Sequence, residues 1–417
     1  MWRLAWRNLW RNRSRTVITG TAIAFTLGIQ LMSYGIAESS YENMRSSALK
    51  SVGGALLVHA DGYWETLQTD KVITDSAAAV TAIKAVPGVE HVIPRIVAQG
   101  LVSSARGNAG TRLLAVERAS TLAFDNPAKF LVAGTFLEET TKALRFRGPL
   151  ILGKSVVDDL KIELGDRLVV AVTGPDGEPV RMPFKLTGIL DTGSEMGDAV
   201  AAYTSLDFVR EQLAIPTGVV QLGVVTASAA SLPIVQAAVR DALGSAGQPF
   251  EVLRWDEANP ELVKVIEADK NFGDKFGLLL FIIVGFGITN TFLMVVLERV
   301  RELGLLAALG LTPRRIATMV LIESIVLGLL SVFFGVVIGY AGHLTIAHYG
   351  INYGEMVGGE IQMAGVVMED FILYSHLNIA RWTQACVVVL VMVVLAATYP
   401  ALKATRMEPA TAMRTYE

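Results

Sequence analysis

The chain has 417 residues, of which 52% are hydrophobic and 18% are charged, and its net charge is −3. The mean hydropathy of +0.47 excludes an ordinary soluble protein of this length, and the near-neutral charge gives no general attraction to nucleic acid. The single cysteine, Cys386, excludes a disulfide within the chain.

The first sixteen residues predict an amphipathic helix in the membrane interface. Trp2, Trp6 and Trp10 fall on one helical face, whereas arginines recur every four residues on another. Tryptophan favours the headgroup region, and arginine favours the cytoplasmic lipid surface. We therefore expect residues 1–16 to form a cytoplasmic elbow helix that contacts membrane lipids, with the three tryptophans as interfacial anchors.

Four apolar stretches are long enough to cross a bilayer, which takes about 20 helical residues. The first is longer than the apolar core of a signal peptide, which has about 7–15 residues, so we expect it to be retained. The four predicted spans are 17–37, 276–297, 316–345 and 382–402.

The charges of the connectors predict the orientation. Basic residues are concentrated in 1–16, 298–315 and 403–417, whereas acidic residues dominate 346–381. By the positive-inside rule, the three basic segments lie in the cytoplasm. Residues 38–271 and the 346–381 loop are then extracytoplasmic, and the chain is expected in the cytoplasmic (inner) membrane as a multi-pass protein.

Residues 38–271 predict a folded domain, because apolar residues are plentiful and low-complexity sequence is absent. We expect the first span to continue as a helical stalk to about residue 50, and the helix 76–86 to have Ser76 as its N-cap. The other elements predicted for an α/β base are the strands 55–59, 89–103 and 250–255 and the helix 231–243.

A β-rich insertion is predicted over about 130–215. Within it, the strands 167–173 and 180–190 flank a turn rich in glycine and proline, which is typical of a hairpin. The predicted fold class is therefore a membrane protein, an α-helical four-span bundle with a large extracytoplasmic α+β domain between spans 1 and 2.

The connector 298–315 predicts a helix, a break and a second helix. Its first part consists of good helix formers with one apolar side. Gly310 suits the position after a helix C-terminus, Thr312 suits an N-cap and Pro313 suits the first turn of the next helix. On composition alone, a solvated cytoplasmic loop fits this segment equally well.

The stretch from Gly148 to Ser155 matches the phosphate-loop pattern G-x-x-x-x-G-K-[ST]. That chemistry needs a strand before the first glycine and a flexible loop whose amides wrap phosphate. Residues 150–152 are themselves strand-like, and the predicted topology puts them on the side that lacks ATP. The five histidines have no metal-ligand spacing. We therefore expect no catalytic site, no metal site and no cofactor in this chain.

Glu323 falls about two turns into the third predicted span. Acids within membrane segments are costly to bury and are functional hypotheses by default. Here the alternatives are a structural role, including pairing with an arginine, and proton or substrate coupling. Small residues at Gly28, Gly335, Gly339 and over 285–291 further suggest a dimer interface, with lipid-facing glycines as the alternative.

Two motifs resemble those of a known family. The connector string E-R-x-R-E-x-G-x-L-x-A-L-G, starting at Glu298, resembles the coupling-helix signature of FtsX-like/MacB-like ABC transporter permeases. The tail from Tyr399 to Arg414 resembles the C-terminal signature of that family. The topology, the elbow helix and shorter strings in 38–271 are also similar to it. Gly62-Tyr63-Trp64 most resembles the lipoprotein-releasing (LolC/LolE-type) permeases.

The resemblance implies a non-catalytic permease subunit. Two copies of a separate ABC ATPase subunit would bind ATP and Mg²⁺ and dock on the connector. A second permease chain would complete a homo- or heterodimer, and the outer domains would act on a lipoprotein or another amphiphilic substrate, with a periplasmic acceptor protein as a further partner. The residues expected at the ATPase contact are Arg299, Arg301, Glu302, Leu303, Gly304, Leu306, Leu309 and Gly310.

Within that contact, we expect the leucines to be buried in a groove of the ATPase and the charges to lie at the rim. Two other functions stay open. MacB-like efflux of drugs or peptides is a close alternative, and a transmembrane regulator of cell-wall hydrolases is a rival from another class.

Overall fold

The computed structural model contains two compact units. The membrane unit comprises Met1–Glu42, Ile266–Tyr353 and Ile372–Glu417, and the α/β unit comprises Asn43–Val265 and Gly354–Phe371. The structure describes residues 7, 10–11, 13–66, 69–137, 147–193, 195–227, 231–244, 248–308, 311–353, 356, 361–363, 366–368 and 372–405.

The elements are numbered here in chain order. The α-helices are α1 (Arg13–Val52), α2 (Tyr63–Thr66), α3 (Ser76–Lys84), α4 (Arg118–Phe124), α5 (Lys154–Leu160), α6 (Glu195–Asp198), α7 (Leu206–Gln212), α8 (Leu232–Leu243), α9 (Trp255–Ala258), α10 (Pro260–Glu298), α11 (Val300–Ala308), α12 (Pro313–Tyr349) and α13 (Ile379–Thr405). The strands are β1 (Leu56–Ala60), β2 (Val89–Ser103), β3 (Asn108–Val116), β4 (Leu131–Gly134), β5 (Gly148–Gly153), β6 (Arg167–Thr173), β7 (Pro179–Leu190), β8 (Ala201–Ser205), β9 (Gln221–Thr226), β10 (Phe250–Arg254), β11 (Ile351–Asn352), β12 (Ile361–Met363), β13 (Val366–Met368) and β14 (Ile372–Leu373). A 3₁₀ turn covers Pro127–Phe130.

Four helices, α1, α10, α12 and α13, are long and apolar enough to cross a membrane. Each contains one of the stretches that hydropathy predicted. Helix α1 is unbroken to Val52, so the predicted stalk is a continuation of the first span. Helix α12 is 37 residues long, which exceeds the roughly 20 residues that a span requires.

Small residues let α1 and α12 approach closely within the membrane unit. A Cβ placed on Gly28 would lie 2.8 Å from Cγ2 of Ile338, and one on Gly335 would lie 2.9 Å from Cδ2 of Leu27. Gly339 faces α1 in the same way. Because these surfaces are occupied by the chain's own helices, the suggestion that these three glycines form a dimer interface is wrong.

The α/β unit is built on a ten-stranded sheet. Its strand order is β10-β1-β9-β2-β3-β8-β5-β7-β4, and β6 pairs with both β2 and β7. The 15-residue strand β2 is antiparallel to β9 along its first part and to β6 along its last part. Strands from both ends of the domain are therefore adjacent, and β2 joins them to the β-rich insertion.

Helices α3 and α8 pack against each other and against strands β2 and β10 respectively. The N-cap of α3 is Asp75, whose carboxylate accepts a hydrogen bond of 3.0 Å from the N–H of Ala78. The sequence prediction of Ser76 as the N-cap was wrong. Both residue types favour this position, and the Ser76 hydroxyl instead donates to the carbonyl of Thr217 at 2.6 Å.

The predicted hairpin is present as β6 and β7. Its turn is closed by a hydrogen bond of 2.7 Å from the N–H of Gly174 to the carbonyl of Glu178. Gly177 in this turn has a φ of +83°, a backbone conformation that L side chains rarely adopt. The glycine at this position therefore fixes the turn, as the sequence indicated.

Candidate functional site at the connector between the second and third spans

A short helix connects the second and third spans. Helix α10 ends at Glu298, α11 follows as Val300–Ala308, and α12 begins at Pro313. Thr312 is the N-cap, with an extended backbone (φ −70°, ψ 147°) and no capping hydrogen bond from its side chain. Proline suits the first turn of a helix because no amide donor is needed there. Thr312 and Pro313 thus begin the second helix as predicted, whereas the predicted end of the first helix at Gly310 lies outside the described residues.

Helix α11 presents one leucine to the core and another to the surface. Leu303 is only 4% exposed and belongs to the core of the membrane unit, and Gly304 is also buried. Leu305 is 57% exposed. The prediction that Leu303 fills a groove of a partner is therefore wrong, because its side chain is already buried within its own chain. Leu305 is an exposed apolar side chain among the described residues of this helix, and the sequence pattern did not identify it.

A buried ion pair joins the start of the connector to the third span. Nη1 of Arg299 lies 3.3 Å from Oε1 and 3.5 Å from Oε2 of Glu323. The two residues are only 9% and 3% exposed. Arg299 was expected at the rim of a partner contact, and the structure instead places it beneath the surface. The pairing of Glu323 with an arginine agrees with the structural alternative for this acid.

A second ion pair joins the connector to the residues that precede the first span. Arg11 donates two hydrogen bonds to the carboxylate of Glu302, one of them from Nη1 to Oε2 at 2.9 Å. The hydrogen bond from Arg11 lowers the pKa of Glu302 and raises that of Arg11. Such bidentate pairs are specific in geometry, although both side chains are exposed. The N-terminal segment and α11 are thereby held together.

The structure describes only some of the remaining residues that were predicted to form the site. Arg301 is exposed on α11, and Leu306 lies in the same helix, with its side chain outside the described residues. Leu309 and Gly310 are outside them altogether, as are Trp2 and Trp6 of the elbow. Trp10 is 43% exposed, which is compatible with the interfacial anchor predicted for it.

The phosphate-loop pattern falls on a strand in the α/β unit. Residues Gly148–Gly153 are β5, hydrogen-bonded to β7 and β8 on its two sides. Nζ of Lys154 lies 2.8 Å from a carboxylate oxygen of Asp191. The amides that would wrap phosphate belong to sheet pairing, and the lysine has a protein partner. Among the described residues, no cluster of His, Cys, Asp or Glu could hold a metal ion.

Comparison with known proteins connects this geometry to a family. Residues 275–409 match the family model described as FtsX-like permease C-terminal. The chain carries an FtsX-like permease domain. That domain contains most of α10, all of α11 and α12, and α13, so both Arg299 and Glu323 lie within it.

Two curated relatives align outside the FtsX-like domain as well. The lipoprotein-releasing system transmembrane protein LolC of Neisseria meningitidis is 22% identical over 277 residues, which cover 64% of each chain. The pyoverdine export ATP-binding/permease protein PvdT of Pseudomonas entomophila is 25% identical over 430 residues, which cover 98% of this chain and 58% of that protein. The chain thus spans about three fifths of the length of the curated relatives it matches, and it is homologous to them at low identity.

Among solved structures, the chain is similar to the periplasmic region of MacB from Actinobacillus actinomycetemcomitans. The similarity has a TM-score of 0.36 at 12% sequence identity, over 50% of this chain and 92% of that one. The four apolar helices and the FtsX-like domain, and not this weak similarity, indicate a multi-pass membrane protein with a large α/β domain between spans 1 and 2.

Proposed function

We propose that this chain is the permease subunit of an ABC transporter and that a separate ATPase subunit binds at the connector. The observation that carries the proposal is the geometry of α11 within the FtsX-like domain. One face of this helix is packed on the bundle through Leu303, whereas Leu305 and Arg301 are left exposed. An exposed leucine flanked by charges is the arrangement expected of a contact with an apolar centre and a charged rim.

The two ion pairs support a mechanical role for the connector. Arg299 ties its start to the third span through Glu323, and Glu302 ties its middle to Arg11 before the first span. A partner that moves α11 would therefore also move the third span, α12, and the segment that precedes the first span, α1. In this proposal the connector lies in the cytoplasm, and the α/β unit lies outside the inner membrane and receives the motion through α1, which extends beyond the length of a span.

The substrate that we propose is a lipoprotein, extracted from the membrane and passed to a periplasmic acceptor. The similarity to LolC, whose name assigns it to a lipoprotein-releasing system, supports this choice. Depletion of the chain in its native cell tests it. We expect lipoproteins to accumulate in the inner membrane, as measured by fractionation and immunoblotting, and re-expression of the wild-type chain to restore their release. Unchanged fractionation after depletion would count against lipoprotein release.

Export of a small molecule is the second candidate. A specific observation favours it, because the alignment with the pyoverdine export protein covers 98% of this chain. In that case, depletion would leave lipoproteins correctly sorted and lower the amount of a secreted compound in the medium. Regulation of a cell-wall hydrolase would change neither quantity, but a peptidoglycan hydrolase would co-purify with the complex.

A further inference from the structure

A cavity of about 180 Å³ lies in the α/β unit, where the C-terminal end of α1 meets strands β2, β3 and β8. The basic side chains in its lining are Lys50, Arg95 and Arg112. The apolar side chains in its lining include Ile93, Leu114 and Phe124. The cavity therefore combines cationic and apolar side chains.

Arg95 is the unusual member of this lining. It is only 5% exposed, and its Nε and Nη2 atoms have no hydrogen-bond partner among the described residues. A buried guanidinium that leaves two of its nitrogens without an acceptor is unfavourable in an isolated protein. An unsatisfied buried group in a native protein calls for an explanation, such as an ordered water, a bound ion or a functional role.

The backbone is shaped to hold this guanidinium in position. Gly53 has a φ of +89°, and a Cβ on it would overlap the guanidinium of Arg95. The glycine thus allows the main chain after α1 to lie directly against the side chain. The pKa of Arg95 is lowered to about 10, first by burial and then by the charge of Arg112, so the group is still cationic at neutral pH.

The charge of the described lining favours an anion. The described lining carries Lys50, Arg95 and Arg112 and one carboxylate, that of Asp125, so its basic residues outnumber its acidic one. Asp125 acts on Arg95 through its charge but accepts no hydrogen bond from Nε or Nη2. Two arginines in one cavity are suited to oxyanions, because the guanidinium donors match carboxylate and phosphate oxygens in pairs.

We propose that this cavity binds the oxyanion of a small amphiphilic molecule, a carboxylate or a phosphate, with Arg95 and Arg112 as donors and the Ile93–Phe124 side as the apolar contact. The guanidinium groups of Arg95 and Arg112 supply the hydrogen-bond donors to the oxyanion. The bound molecule lies against the end of α1, because Ser47, Lys50 and Ser51 of that helix line the same cavity. This site is independent of the ATPase partner and of the cargo proposed above.

Calorimetric titration of the full chain tests the site, in nanodiscs of phosphatidylcholine without any partner. The probes are hexanoate, inorganic phosphate and uncharged hexanamide, which separate a carboxylate, a phosphate and the apolar part alone. We expect saturable binding of at least one anion and none of hexanamide. Arg95→Met and Arg112→Gln should each weaken that binding by about tenfold or more, because a hydrogen bond to a charged group is lost. Arg181→Gln, at an exposed position on β7, is the charge-matched control and should bind like the wild type.

Thermal unfolding distinguishes loss of the site from loss of the fold. Without anion, Arg95→Met should unfold at the same temperature as the wild type or higher, because it removes a buried charge whose Nε and Nη2 have no acceptor among the described residues. Added anion should raise the unfolding temperature of the wild type and leave that of Arg95→Met unchanged. Failure of both anions to bind the wild type, or equal binding to Arg95→Met and Arg112→Gln, would mean that the cavity holds only water and would overturn the proposal.

Discussion

The guanidinium of Arg299 lies 3.3 Å from the carboxylate of Glu323, and the pair joins the end of the second span to the third. Neither side chain has appreciable contact with solvent. The desolvation of two such charges is offset only while both are present, so a buried pair defines geometry more than it adds stability. In this chain the defined geometry is the angle at which the connector leaves the second span.

If the Arg299–Glu323 pair defines geometry in this way, the effects of substituting its two residues on stability should not be additive. Glu323→Leu leaves an unpaired buried guanidinium and should lower the stability by about 3 kcal/mol or more, whereas the double variant Arg299→Leu/Glu323→Leu should recover most of the loss. Unfolding midpoints of the three chains in nanodiscs provide the measurement. A double variant that is as unstable as the single one would show that the two charges act separately.

Leu303 and Leu305 of α11 predict separable defects. Leu305→Asp places a charge on an exposed position, so the permease should fold normally and lose an ATPase partner, with binding weakened about tenfold or more if that side chain is buried in the complex. Leu303→Ala should instead destabilise the permease itself by about 2–4 kcal/mol, because it opens a space in the core. Co-purification and thermal unfolding of each variant measure the two effects.

Thr312→Asp is the control for added charge in the connector. Thr312 is exposed and is the N-cap of α12, a position that favours a carboxylate. This variant should retain both the fold and the partner. If Leu305→Asp also retained the partner at normal affinity, the exposed face of α11 would have no role in binding an ATPase.

Local patterns predicted most of the elements, and burial was harder to predict. The strand Val89–Ser103 has its predicted bounds, because its apolar, β-branched residues lie between clear turn signals. By contrast, helical periodicity selected Leu303 and not Leu305 for the partner contact, whereas the structure buries Leu303 and exposes Leu305. The apolar side of a short helix next to a membrane can face its own bundle or a partner, and only the packing of the bundle selects one leucine for the core.

The contacts that the sequence did not predict connect distant parts of the chain. Arg11 and Glu302 are 291 positions apart, and no pattern within either segment identifies the partner. The arginines of the first segment recur at equal intervals, so the sequence offered several equivalent candidates. Arg95 gave no signal either, because a single arginine within a strand is ordinarily exposed. Its burial depends on Gly53, whose role is visible only once the strands are paired.

The strand assignment of the phosphate-loop pattern predicts that Lys154 is dispensable for ATP hydrolysis. Lys154→Met removes an exposed ion pair with Asp191, and such pairs contribute little to stability. The variant should therefore assemble with a partner ATPase and show the same ATPase rate as the wild type, and Asp191→Asn should match it. ATP turnover by the isolated chain that disappears in Lys154→Met would contradict the assignment.

His59 predicts a stability that decreases as the solution becomes acidic. Burial lowers the pKa of its imidazole from 6.5 to about 3, and the nearby charge of Arg95 acts in the same direction. Between these two values the unfolded chain binds a proton that the folded chain does not, so stability is lost as the pH falls below about 6.5. At pH 5 the loss from this group should be about 2 kcal/mol.

His59→Phe isolates this contribution. The phenyl ring keeps the stacking on Tyr63, whose ring centroid lies 4.3 Å away, and it removes the titrating group. Thermal unfolding between pH 7.5 and 5 should then depend less on pH than in the wild type, while the carboxylates titrate equally in both. If the unfolding temperatures of the two proteins changed equally with pH, protonation of His59 would not destabilise the folded state.

The alternation of charge between connectors predicts the orientation of the chain, and surface positions allow it to be tested. Asp176 in the β6–β7 turn, His376 before α13 and Thr312 in the connector are all exposed. Single cysteines at these positions, in a Cys386→Ala background, can be treated with a membrane-impermeant maleimide. In intact spheroplasts, Asp176→Cys and His376→Cys should react, and Thr312→Cys should react only after the membrane is permeabilised. Ser375 would be a poor choice, because it is 3% exposed and is hydrogen-bonded to His343 at 2.9 Å. Labelling of Thr312→Cys in intact spheroplasts would show that the orientation is the reverse of the predicted one. The connector would then lie outside the cytoplasm and could not contact a cytoplasmic ATPase.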